Sequence, residues 1–96
     1  MATVDVRDVP ARQRYEATAG DELLGVAHYE RQGDVLVLTH TEVQPAAEGQ
    51  GVGSALARTA LDDARSARQR VRPQCEFMAA WIARHPDYAD VVTERG

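Results

Sequence analysis

Apolar and polar positions are spaced differently in successive parts of the chain, and each change of spacing predicts an element. Residues 1–10 alternate only weakly and end at Pro10, which reads as a loose lead-in with room for a short edge strand. From Arg12 to Thr18, Tyr15 and Ala17 alternate with polar partners. Ala19-Gly20-Asp21-Glu22 then supplies turn chemistry before Leu23 to Glu30 resumes an extended pattern. A second turn signal, Gln32-Gly33-Asp34, leads into Val35 to Val43, the stretch richest in β-branched residues. Three strands in succession predict an antiparallel meander.

After Gly49-Gln50-Gly51-Val52-Gly53-Ser54, Val52, Ala55, Leu56, Ala60, Ala64 and Ala67 recur at helical spacing to about Gln69. Val71 to Cys75 is long enough for one more strand, and a strand-helix-strand unit of this length should be parallel. Phe77, Met78, Trp81 and Ile82 then share one face of a short helix, and such a stripe reads as core. His85-Pro86 ends that helix, because the residue before proline avoids the helical region, and Pro86 can open a further turn through Tyr88 to Val92. The fold class expected is α/β of the α+β type.

Composition narrows the setting. Ninety-six residues, 44% apolar and 27% charged, suit a single globular domain spanning 1–96. Cys75 is the only cysteine, so neither an internal disulfide nor a Cys-rich zinc site can form. The first residues lack a basic-then-apolar leader pattern and no apolar run is long enough to span a bilayer, so a cytoplasmic protein with no membrane partner is expected. Eleven cations against fifteen acids give a net charge of −4 without a basic run, which argues against nucleic acid as a partner. Every cation is arginine. The absence of lysine removes Schiff-base chemistry and a phosphate-loop lysine together.

The feature richest in chemistry is the passage from Val35–Val43 through Pro45 into alternating glycines and a helix. Glycines allow positive φ and close backbone approach, and the free amides of a first helical turn present donors to an anion. The plainer reading is an ordinary glycine-bearing turn. Two phosphate loops are excluded by spacing: no Gly-Lys-Ser/Thr end exists, and a GxGxxG array begun at Gly49 puts Ser54 in the third glycine position, while one begun at Gly51 puts Leu56 there.

The stretch Leu38 to Pro45 followed by Glu48-Gly49-Gln50-Gly51-Val52-Gly53-Ser54-Ala55-Leu56 resembles the acetyl-coenzyme A signature of GNAT N-acetyltransferases. With Pro73-Gln74-Cys75 and His85-Pro86-Asp87-Tyr88 in the same order, it is similar to the small, roughly hundred-residue GNAT-like subfamily, over residues 12–92. The resemblance implies a minimal GNAT-like fold in which Val35–Val43 and Val71–Cys75 are parallel neighbours that splay apart around the pantetheine arm. It also implies that acetyl-coenzyme A, or coenzyme A, sits with its pyrophosphate on the amides from Gly49 to Ser54, next to Val43. Two departures stand out: Glu48 occupies a position where the superfamily usually has Arg or Gln, and the Gly20 hairpin replaces two helices that normally help form the acceptor site.

Acetyl transfer to an amine needs a proton acceptor for the ammonium and a proton source for the leaving thiolate. Period-two alternation along Val35–Val43 groups Leu36, Leu38, His40 and Glu42 on one face and Val35, Val37, Thr39, Thr41 and Val43 on the other. His40 or Glu42 is therefore the candidate base, against the alternative of a histidine satisfying a backbone group and a solvated terminal glutamate. Cys75, across the slot, is a candidate nucleophile or general acid, against the alternative of a buried, inert thiol. Tyr88 reads as packing, and no His or Cys cluster suggests a metal. The expected activity is transfer of an acetyl group to an amine of a small molecule or protein, by a monomer or homodimer. The alternatives are a coenzyme A or acyl-coenzyme A binding module without turnover, and an interaction domain whose turn binds nothing.

Overall fold

The computed structural model describes residues 4–93. Among these, five strands form one sheet in chain order: β1 (Asp5–Val9), β2 (Arg14–Ala19), β3 (Glu22–Gln32), β4 (Val35–Val43) and β5 (Arg70–Pro73). β1 to β4 are antiparallel neighbours, and β5 joins parallel to β4 after the helix α1 (Val52–Ser66). A second helix, α2 (Glu76–Ala83), and a 3-10 turn at Pro86–Val91 follow. Both hairpin turns fall where their glycines are, with Gly20 at φ 60° and Gly33 at φ 63°.

The meander thus has one strand more than expected. Asp5–Val9 is the short edge strand for which the lead-in had room, paired in full with β2 from Asp5↔Thr18 to Val9↔Arg14; residues 1–3 of that stretch lie outside the described residues. An edge strand has one neighbour and buries little on either side, and that is why its alternation is faint in the sequence. The predicted helix also stops early, at Ser66 rather than near Gln69. Arg68 takes the left-handed conformation usually left to glycine, at φ 59°, and the Gln69 amide turns back to the Ala64 carbonyl at 2.8 Å.

One face of the sheet carries both helices. Tyr15, Ala17, Ala27, Tyr29, Leu36 and Leu38 meet Leu56, Ala57, Ala60, Leu61 and Ala64 of α1 and Met78 and Trp81 of α2 in a continuous core. The alanines let α1 lie close against the strands, and each fully buried leucine contributes about 1.5–3 kcal/mol. Adjacent carboxylates on α1 pin it at two places: Asp63 accepts from the Tyr15 hydroxyl at 2.9 Å and Asp62 from the Tyr88 hydroxyl at 2.8 Å. Burial, reinforced by those carboxylates, pushes both phenols above their ordinary range.

On the opposite face, register places Arg14, His28 and His40 in one row and Glu16, Val26 and Glu42 in the next. Glu16 is buried there beneath Arg14, whose guanidinium grips it at 2.7 and 2.8 Å. The hydrogen bond from Arg14 holds the Glu16 carboxyl below its ordinary range, with Arg12 adding its charge.

The face assignment within β4 needs correcting. His28 pairs with His40 but Tyr29 pairs with Leu38, so Thr39 is an extra residue in β4. Its hydroxyl donates to the His28 carbonyl at 3.3 Å. Beyond this bulge the alternation inverts. Thr41 and Val43 share the helix-bearing face with Leu36 and Leu38, while His40 and Glu42 point to the opposite one.

Candidate functional site

β4 and β5 pair only from Val35↔Arg70 to Leu38↔Pro73. At the end of that ladder the amides of Gln74 and Cys75 both donate to the Leu38 carbonyl at 3.0 Å, which turns the chain out of the sheet and into α2. Among the described residues, Thr39 to Val43 therefore have β3 as their only strand partner, and one edge of β4 is left open. Cys75 stands at the N-cap of α2, 8% exposed, and its thiol donates across the gap to the Thr41 hydroxyl at 3.3 Å.

Below this gap the chain passes through a 3-10 turn, Pro45–Ala47, into the glycines. The turn satisfies itself: the amides of Ala47, Glu48 and Gln50 bond to the carbonyls of Gln44, Pro45 and Ala47, and the Gln50 side chain to that of Ala46. Gly49 at φ 85° and Gly51 at φ 80° take a conformation that other residues reach only with strain. A β-carbon at either would meet nothing within 4 Å, so these two glycines serve the path of the backbone and leave open space above it. The α1 ladder begins with Ala55 N–H to Gly51 O at 3.0 Å, which leaves the amides of Val52, Gly53 and Ser54 ahead of it. No side chain caps this end and the first turn has no acid. Free donors and the positive end of the helix dipole therefore face the same space.

Gly25 has a different reason to be glycine. A β-carbon there would lie 2.8 Å from the Glu42 carbonyl oxygen and 3.0 Å from Val52 Cγ1, so its absence lets the start of α1 rest on β3 and β4.

The gap and the turn are parts of one cleft of about 380 Å³. Thr41 and Val43 of β4 line it together with Ala47, Glu48, Gly49 and Gly51 of the turn, Val52, Gly53 and Ser54 of α1, and Phe77 of α2. Of the expected coenzyme-binding residues, Val43, Gly49, Gly51, Val52, Gly53 and Ser54 are thus on one surface, whereas the Gln50 side chain is spent on the turn itself.

The three expected catalytic residues are not on one surface. His40 Nε2 and Glu42 Oε2 are 3.0 Å apart, with side chains 61% and 63% exposed, and the His28 ring stacks on His40 at 6.2 Å. This pair lies on the far side of β4 from Cys75, whose partner is Thr41. The open edge of the strand separates the two. Thr41 was not legible as a site residue, because the alternation put it on the wrong face; only the extra residue at Thr39 brings it to the thiol.

Phe77 also departs from expectation: its companions Met78, Trp81 and Ile82 are buried, but its ring is 38% exposed and lines the cleft. Tyr88 is buried packing, as read from the sequence. Trp81 stacks on His85 at 3.7 Å and donates its indole N–H to Ser54 Oγ at 2.9 Å, joining the His-Pro turn to the glycine turn. Among the described residues, no cluster of His, Cys, Asp and Glu could hold a metal ion, and no helix is long and apolar enough to cross a membrane.

A family model described as GCN5-related N-acetyl-transferase matches residues 14–91. No curated protein matches the chain. Among solved structures, the chain is similar to the NMR solution structure of a GCN5-like candidate N-acetyltransferase from Staphylococcus aureus. The TM-score is 0.74 at 20% identity, over 97% of this chain and 91% of that one. At that identity the likeness speaks for the fold, and it agrees with the minimal GNAT-like arrangement expected from the sequence.

Proposed function

The chain belongs to the GCN5-related N-acetyltransferase family, and from that premise we propose that it transfers an acetyl group from acetyl-coenzyme A to an amine of a small molecule or protein. The observation that carries this reading is the cleft that joins the open edge of β4 to the free amides at the start of α1. A pyrophosphate suits that turn: positive φ at Gly49 and Gly51 bares the backbone, and the start of α1 supplies donors and dipole. Gly49 to Ser54 would hold it, with Val43 beside the arm that leads towards Thr41. Bound there, the coenzyme supplies the acetyl group as an activated thioester.

The residues on the two sides of β4 then divide the proton traffic. The amine approaches from the solvent face, where His40 takes the ammonium proton and Glu42, 3.0 Å away, orients the imidazole. Attack of the neutral amine on the thioester carbon would form the C–N bond and break the C–S bond, and the proton shed by the acylated nitrogen would restore the thiol of Cys75 once it has protonated the leaving sulfur. Cys75, whose thiol proton is directed at Thr41, would give a proton to the leaving sulfur. A separate acid and base, on opposite sides of one open strand edge, need no rearrangement between the two transfers.

Isothermal titration with acetyl-coenzyme A, followed by an amine screen for free-thiol release, tests the reading. Binding with turnover that falls on His40→Ala and Cys75→Ala is the expected result. Binding without turnover of any amine would leave a coenzyme-binding module, and no binding by folded protein would end the proposal. Mass spectrometry of the Cys75 peptide after a short acetyl-coenzyme A pulse should find it unmodified; an acetyl thioester there would make Cys75 the nucleophile instead of the acid.

A further inference from the structure

Gly53 and Phe77, 24 residues apart, meet at the rim of the cleft. A β-carbon on Gly53 would lie 2.5 Å from Cζ of the Phe77 ring and 3.1 Å from both Cε atoms, so the ring comes down on the glycine end-on. Gly53 lies inside α1 with no positive φ, so its backbone would accept any residue, and helix propensity favours alanine there by about 1 kcal/mol. What the glycine provides is room for the ring. The ring in turn has no place in the core: Met78 and Trp81 of the same helix are buried, whereas Phe77 is 38% exposed at the cleft. Together with Val43, Ala47 and Val52 it makes the apolar part of a cleft whose remaining lining is backbone amide and polar side chain.

We propose that Phe77 is a coenzyme-binding residue: seated on Gly53, its ring forms the α2-side wall of the cleft and packs on the pantetheine arm. This rests on the reading of the cleft as a coenzyme site. The pyrophosphate needs donors, which the turn has; the arm, with its methylenes and geminal methyls, needs apolar surface, and an isolated exposed ring gains by being covered. Gly53 and Phe77 form a coupled pair, the first setting the position of the second.

Calorimetric dissociation constants for acetyl-coenzyme A and for adenosine 3′,5′-bisphosphate, which lacks the arm, test the assignment in Phe77→Ala, Phe77→Leu, Gly53→Ala and the Gly53→Ala/Phe77→Ala double variant. Phe77→Ala should weaken acetyl-coenzyme A about tenfold, equivalent to about 1.4 kcal/mol, and leave the bisphosphate within twofold. Phe77→Leu should recover most of the loss. Gly53→Ala should weaken acetyl-coenzyme A severalfold in the parent chain and less than twofold beside Phe77→Ala. Unchanged acetyl-coenzyme A affinity in Phe77→Ala, or an equal loss for the bisphosphate, overturns the wall. An equal cost of Gly53→Ala in both backgrounds overturns the pairing. Failure of the unsubstituted chain to bind acetyl-coenzyme A would remove the underlying site as well, so the two failures are told apart by the first titration.

Discussion

The two halves of β4 are built for opposite purposes. From Val35 to Leu38 the strand has a neighbour on either side, β3 and β5, and Leu36, Val37 and Leu38 are each 1% exposed. From Thr39 onward it keeps only β3, one inserted residue inverts its faces, and its side chains lie at or near the surface. The first half spends its hydrogen-bonding capacity on the sheet; the second has one edge without a strand partner among the described residues. Nine consecutive residues in one strand thus pass from a buried, doubly paired half to a half with one open edge, and the bulge marks the boundary.

That contrast breaks if substitutions in the two halves act alike. Leu38→Ala should lower unfolding stability by about 2–5 kcal/mol in urea titrations, because a fully buried leucine leaves a cavity. His40→Ala, in the other half, should shift the urea midpoint little, by less than about 0.5 kcal/mol for an exposed side chain. Its effect should fall on turnover, about a hundredfold or more if it is the base, with its pH profile altered. A comparable loss of stability from both would erase the distinction.

Gly25→Ala sharpens the boundary from the neighbouring strand. The added methyl meets backbone at Glu42, which cannot swing aside, so a loss of about 1–3 kcal/mol is expected in thermal unfolding, with α1 displaced from the sheet. Gly49→Ala meets nothing and should cost only the strain of a positive φ, about 1 kcal/mol.

Carboxylates flank Val26 on the solvent face in the same way, Glu16 buried and Glu42 exposed. Because arginine holds the folded Glu16 carboxyl below its unfolded value of about 4.3, its contribution to stability is complete above that pH and is lost as pH falls through the folded value. Glu16→Gln should flatten the acid limb of a pH–stability curve below about pH 4. The raised phenols of Tyr15, Tyr29 and Tyr88 act in the other direction: their contribution is complete below about pH 10 and falls away above it.

The smallest effect is expected at Glu48, an exposed carboxylate beside the proposed pyrophosphate. Glu48→Gln should tighten acetyl-coenzyme A a few-fold at low salt and less at high salt, as removal of a screened like charge requires.

The legible parts of this molecule are those in which one residue type answers to one local demand. The ends of β4 coincide with the β-branched run, both hairpins with their glycines, and the start of α1 with the glycine turn. What escaped the sequence depends on the neighbour. The Thr39 insertion leaves no trace in the alternation, because Leu36-Val37-Leu38 is apolar at every position and the threonines suit either face. Phe77 fits the apolar stripe of α2 as well as Met78 does, and only the placement of α1 decides which of them is buried. The glycine turn ahead of α1 could be read from spacing, whereas the separation of Cys75 from His40 and Glu42 required a register that strand pairing alone reveals.

Trp81 is the chain's one tryptophan, and its indole is wired to two places at once, hydrogen-bonded to Ser54 in the first turn of α1 and stacked on the His85 ring. The protein consequently carries its own optical reporter. Ligand drawn onto the amides around Ser54 should shift the indole emission, so binding at the glycine turn can be followed without attaching a dye.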